Sequence, residues 1–170
     1  NKELIEKILI YKNHGMNKSK RYFHNVVGYN YRMTNLSAAL GLAQLEQFPL
    51  FLQTREEHEY QYRKCFAGCN AINFSPKRQE SRPVYWMHSF LINSDKISRD
   101  NLMEALARRG VETRSFFPPL YKQEAFKEYA GNNSFPIADK ISASGIQLPS
   151  SVKLTEEDIN EIVLRVLSLI

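Results

Sequence analysis

Cysteine is scarce in this chain. Only Cys65 and Cys69 occur among 170 residues, and neither has histidine or cysteine partners at metal-ligand spacing. That argues against a metal centre or a redox pair and for free thiols in a reducing cytoplasm. Long hydrophobic runs are also missing. No stretch approaches the length of a membrane span, and the N-terminus lacks the charged and apolar regions of a signal peptide. There are no internal repeats and no low-complexity tracts. Also absent are a Ser/His/Asp triad, a paired-carboxylate signature, a P-loop and a Gly-rich dinucleotide turn, so the motif-bearing classes built on them are set aside.

What remains describes an ordinary globular chain, 43% hydrophobic and 24% charged, long enough for one domain or one and a fraction. A formal charge of +5 and a pI near 9.2 raise the question of nucleic acid. The basic residues are spread along the chain, and the one cluster is Lys12, His14, Lys18, Lys20, Arg21 and His24. Such a cluster fits a solvated loop or a patch for one phosphorylated ligand, and no nucleic-acid module accompanies it. No nucleic-acid or membrane partner is expected. The chain starts at Asn1, already inside a helical pattern of Leu4, Ile5, Ile8 and Leu9, and reads as a fragment.

Periodicity and punctuation predict an amphipathic helix over 2–12, a basic and aromatic loop from Gly15, and a helix over 35–47 capped by Thr34 or Asn35. Pro49 is expected to kink the path and start a second helix over 50–66, with Arg55, Glu56, Glu57 and Glu59 on an exposed face and Gly68 near its C-cap. Residues 84–92, VYWMHSFLI, predict a strand with Trp86 in the core. Ser98 caps a helix ending at Arg109 before Gly110. Val111 to Phe117 predicts a second strand. Short helices follow over 122–129 and from Pro136 to Ala143, then a brief strand over 145–148. Thr155 and Asp158 form a capping box for a last helix, whose Ile159, Ile162, Val163 and Val166 make one apolar stripe. This order gives an α/β fold, a small α/β sandwich preceded by a partial domain. Its divisions are 1–48, a bridging helix over 49–70, and a C-terminal domain over 71–170.

The informative stretch is Gly28 to Gln47, GYNYRMTNLSAALGLAQLEQ. Its first half is a turn rich in groups that grip phosphate. Asn30 and Arg32 offer an amide and a guanidinium just before a helix N-terminus, though a polar turn holding the helix in place fits as well. Its second half is a helix apolar nearly all round, with Ala38, Ala39, Gly41 and Ala43 small enough for close approach. Such a helix wants a large partner surface. Arg114, at a strand end before Phe116-Phe117 and two prolines, fits either a ligand contact or a surface position.

The stretch resembles the block that marks the DegT/StrS family of sugar aminotransferases. His14-Gly15, Tyr22-Phe23-His24, Tyr85-Trp86-Met87, Glu112-Thr113-Arg114, Phe135-Pro136-Ile137-Ala138 and Leu148-Pro149-Ser150 follow the family's order, covering nearly the whole chain. The resemblance implies the C-terminal portion of a fold-type-I, pyridoxal-phosphate-dependent transferase: the end of the large domain, bridging helices and the small domain. It implies an enzyme that moves an amino group, with glutamate as donor, onto a 4-keto-6-deoxy sugar carried by a nucleotide. A homodimer with the site at the subunit interface is also implied. By the same resemblance Asn30 and Arg32 contact the cofactor phosphate of the neighbouring subunit, and Arg114 meets the nucleotide-sugar pyrophosphate. Tyr29 and Tyr31 fit the sugar pocket or packing beneath the loop. His14 and His24 fit the phosphate-rich region or the surface.

Two departures stand out. Relatives continue after the Glu-Thr-Arg segment with Pro and later a Leu-His pair, where this chain has Ser115 and Leu120-Tyr121. The Schiff-base lysine of the family lies in a Ser- and Gly-rich segment upstream of Asn1, as do the residues that stack on the cofactor ring and pair with its nitrogen. No lysine here has that context, so no catalytic residue is assigned in this chain. A non-catalytic dimerisation or sugar-nucleotide-binding module is the alternative.

Overall fold

A computed structural model describes residues 1–131 and 133–170, which form two compact units, Asn1–Phe48 and Pro49–Ile170. Among the described residues no helix is long and apolar enough to cross a membrane.

In the first unit, α1 (Lys2–Tyr11) starts at Asn1, whose side-chain oxygen accepts from Leu4 N at 3.4 Å. The chain then doubles back. Tyr29 N donates to Tyr11 O (2.7 Å), His14 N to Tyr29 O (2.9 Å) and Tyr31 N to Lys12 O (3.0 Å). Two glycines allow this return. A Cβ on Gly15 (φ 69°) would overlap Val26 O, and one on Gly28 would overlap Gly15 N, so both positions require a bare backbone. At the tip, Asn17 Oδ1 accepts from Ser19 N and Lys20 N at 2.8 and 2.9 Å.

Helix α2 (Asn35–Cys65) begins in this unit and continues into the second. Thr34 is its cap, accepting from Ser37 N at 3.1 Å. Pro49 does not end it. A proline inside a helix removes one N–H and crowds the preceding turn, yet here the helical hydrogen bonding continues on both sides. The apolar half of α2 is exposed in this chain, with Leu36 81%, Leu40 67% and Leu45 66% accessible.

The second unit is built on an antiparallel sheet in the order β1-β2-β4-β3: β1 (Ile72–Phe74), β2 (His88–Ile92), β3 (Arg114–Ser115) and β4 (Gly145–Leu148). Phe90 faces Ile146 and His88 faces Leu148, while Ile72 pairs with Ile92. These residues share one face by the two-residue alternation of strands. That face meets Tyr62 and Phe66 of α2, Leu102 and Leu106 of α3 (Arg99–Arg108), and Ile159, Ile162, Val163 and Val166 of α6 (Glu156–Leu167). The expected apolar stripe, the Ser98 cap and the Thr155–Asp158 capping box all form. At Gly145 the sheet lies directly under the Phe116 ring, which leaves no room for a Cβ.

Several expectations need correction. The strand expected over 84–92 starts only at His88, because Tyr85 adopts φ 42° and interrupts the extended path. Trp86 consequently lies outside the core, 60% exposed, and His88 takes the inward place. The strand over 111–117 shortens to Arg114–Ser115. The helix over 122–129 resolves into 3-10 turns at Leu120–Lys122 and Glu124–Phe126 followed by α4 (Lys127–Ala130). The second short helix forms as expected, α5 running Pro136–Ser144. Glu59, expected on an exposed face, is 3% exposed.

Candidate functional site

The returning segment of the first unit positions the phosphate candidates. Its main-chain bonds to Tyr11, Lys12 and His14 hold Tyr29–Tyr31 extended, and an isolated bridge pairs Asn13 with Asn30. Alternation along an extended segment sends Tyr29 and Tyr31 to one side and Asn30 and Arg32 to the other. The two tyrosine rings stack on each other, 5.3 Å apart and 9° from parallel. At 55% and 72% exposure both rings lie open on the surface of this unit. Arg32 reaches Asn13 Oδ1 at 3.5 Å and has no ion-pair partner among the described residues. Asn13 was not singled out from sequence; its role is visible only once the segment folds back. The chain thus brings Asn30 and Arg32 together as exposed, lightly engaged donors. His24 Nδ1 lies 2.8 Å from His14 O, and His14 has φ 61°, so both histidines help shape the loop. Lys20 sits over Phe23 and Arg21 over Tyr22 at the tip.

Arg114 belongs to the other unit. It lies opposite Gln147 on the edge of the sheet and lines a cleft of about 190 Å³ with Met87, Glu112, Thr113, Leu148 and Ser150. Three separate sequence blocks, around Met87, Glu112–Arg114 and Leu148–Ser150, therefore converge here. No hydrogen bond or ion pair engages the Arg114 side chain among the described residues. Tyr121 donates to Asp139, which Lys122 also contacts. Those contacts, the lysine's first, hold the Asp139 carboxyl below its usual range.

Behind the cleft α2 carries a buried polar network that sequence reading missed. Glu59 accepts from Arg63 Nε at 2.7 Å and bonds His88 Nδ1 at 2.9 Å. Burial pushes the Glu59 carboxyl up, but the hydrogen bonds from His88 and Arg63 outweigh it and leave it below the ordinary value. Arg63 also donates to Ser75 O at 3.0 Å and lies over the Phe74 ring. His58, with its ring 6.2 Å from that of His88, is lowered by burial and then by His88. Tyr62, whose hydroxyl donates to Pro149 O at 3.0 Å, is pushed up by burial. Its bond fixes the segment that carries Ser150.

The chain is 34% identical over 160 residues to the GDP-perosamine synthase of Vibrio cholerae, covering 94% of this chain and 43% of that protein. It is 36% identical over 161 residues to the GDP-perosamine synthase of Escherichia coli O157:H7, covering 93% and 42%. Helicobacter pylori PseC, an aminotransferase involved in the biosynthesis of pseudoaminic acid, shares the fold with a TM-score of 0.84 at 23% identity, over 99% of this chain and 46% of that one. A sugar aminotransferase candidate from Streptococcus pneumoniae, solved in its PLP form, superposes with a TM-score of 0.81 at 25% identity, over 99% and 43%. The chain spans less than half the length of the relatives it matches. The sequence profile of the DegT/DnrJ/EryC1/StrS aminotransferase family matches residues 1–167, and this chain belongs to that family.

Proposed function

We propose that this chain is the C-terminal portion of a pyridoxal-phosphate-dependent aminotransferase that moves an amino group, with glutamate as donor, onto a 4-keto-6-deoxy nucleotide sugar. The identity to GDP-perosamine synthases supports a perosamine-type substrate, used in building cell-surface polysaccharide in the cytoplasm. Residues 1–48 are the end of the cofactor-binding large domain, 49–70 the bridge, and 71–170 the small domain. The enzyme is a homodimer with its site at the subunit interface.

The observation that carries the reading is the segment Tyr29–Arg32, pinned by main-chain bonds and presenting an exposed amide and guanidinium on one side. That donor set fits a phosphate monoester, since a guanidinium matches its oxygens in charge and geometry. Asn30 and Arg32 hold the cofactor phosphate in the neighbouring subunit's site. Tyr29 and Tyr31 form a flat wall of the sugar pocket, and Arg114 pairs with the substrate pyrophosphate. Pyridoxal phosphate held there would supply an electron sink and a carrier for the amino group; these residues would bind and orient it.

The test is complementation in the longer enzyme. Hydrogen bonds to charged groups contribute about 1.5–3 kcal/mol, so Arg32→Ala should weaken cofactor retention roughly ten- to a hundredfold. A mixed dimer of Arg32→Ala with a subunit lacking the Schiff-base lysine contains one site with both elements intact. It should recover up to half the activity per dimer. Subunit exchange without recovery would sink the assignment across the interface.

A further inference from the structure

The loop between β1 and β2 turns an indole outward, and the cause lies on the facing helix. Arg55 Nη1 donates to the carbonyl oxygens of Tyr85 (3.3 Å) and Trp86 (2.9 Å). Tyr85 is held at φ 42°, a region that a bulky residue occupies only where its surroundings fix it. The result is Trp86, 60% exposed, on the wall of a cleft of about 720 Å³, a size typical of small-molecule sites.

Charge in this cleft is unbalanced. Arg63, Lys77, Arg78 and Arg82 face it against Glu56 and Glu59. Arg63 and His88 engage Glu59, and Arg82 engages Glu56 at 2.9 Å. Lys77 and Arg78 are left without an ion-pair partner among the described residues. One residue beyond the indole, Met87 lines both this cleft and that of Arg114. An exposed aromatic face, uncompensated positive charge and a shared wall leading to a free guanidinium complement a planar ring joined to a polyanion.

We propose that this cleft seats the nucleoside end of the substrate, with the base stacked on Trp86 and the diphosphate passing over Met87 toward Arg114. Lys77 and Arg78 supply the field that draws the anion in. The inference rests on the nucleotide-sugar reading above. Stacking on an aromatic face tolerates any base, so Trp86 contributes affinity and leaves base choice to other contacts.

Trp86 is the only tryptophan of the chain, so its emission reports on the cleft directly. GDP titrated into the full chain should quench it saturably, and guanosine should do so more weakly. Inorganic pyrophosphate should leave the emission unchanged while competing with GDP. By calorimetry, Trp86→Ala should weaken GDP about tenfold or more and Trp86→Phe by less, with circular dichroism verifying that both fold. Absence of a saturable quench at millimolar GDP, or GDP binding indifferent to Trp86→Ala, overturns the proposal. Arg114→Ala separates it from the earlier assignment. If that variant binds GDP normally while Trp86→Ala still weakens it, the nucleoside site is supported and the pyrophosphate role of Arg114 falls.

Discussion

His58 and Glu59 are neighbours on α2 that respond to acid in the same direction. Burial and then His88 lower His58 from 6.5, with Glu57, Arg55 and the Leu154 backbone also near it. Glu59 is lowered from 4.5, where hydrogen bonding from His88 and Arg63 overcomes burial. In both cases the unfolded chain takes the proton first as pH falls. Stability from His58 is therefore complete above about pH 6.5, and that from Glu59 above about pH 4.5; each is lost below its window. The melting temperature should fall in two steps on acidification. His58→Gln should remove the upper step and leave the lower one, as read by scanning calorimetry. A melting temperature that rises between pH 7 and 5.5 would contradict this. None of it was legible locally. The Glu-Glu-His-Glu run reads as a solvated face, and His88, 29 residues later, joins Arg63 in holding Glu59 as a buried acceptor.

Among elements, α2 most directly opposes a local rule. Proline in a helix interior costs about 3 kcal/mol, yet Pro49 sits within 31 continuous helical residues. Pro49→Ala should restore a hydrogen bond to Leu45 O and raise stability by about 1–3 kcal/mol, measured by denaturant titration. An unchanged or lower midpoint would mean that the proline is accommodated without cost. Elements whose signals lie within a few residues were legible in the sequence: the Ser98 cap, the Thr155–Asp158 box and the α6 stripe. Those decided from a distance were not. Trp86 sits in an apolar run that reads as a strand, and Arg55, 31 residues earlier, turns it out. β1 has only three residues and exists because β2 pairs with it. The phosphate candidates Asn30 and Arg32 were legible through their motif; Asn13 was not, because only the fold-back brings it near Arg32.

For the molecule as a whole, the exposed apolar surface is the dominant fact. Leu36, Leu40, Leu42, Leu45 and Phe48 of α2 are all more than half exposed, as are Leu4, Ile5 and Ile8 of α1. Large apolar side chains exposed in such number along one helix mark an interaction face, so the chain should self-associate with rising concentration despite its charge of +5. Leu40→Glu should shift sedimentation toward the monomer. A clean monomer at high concentration, unchanged by that substitution, would contradict the prediction. The first unit also bears on which changes inheritance can tolerate. Gly15 is blocked by the Val26 carbonyl and Gly28 by the Gly15 main chain, so a change at either cannot be rescued by a smaller side chain elsewhere. A new Cβ at either position can be relieved only by displacing the returning segment that leads to Asn30 and Arg32. If the proposed phosphate role of Asn30 and Arg32 holds, a random mutational screen in the longer enzyme should recover both glycines as cofactor-retention defects, though neither has a side chain with which to bind.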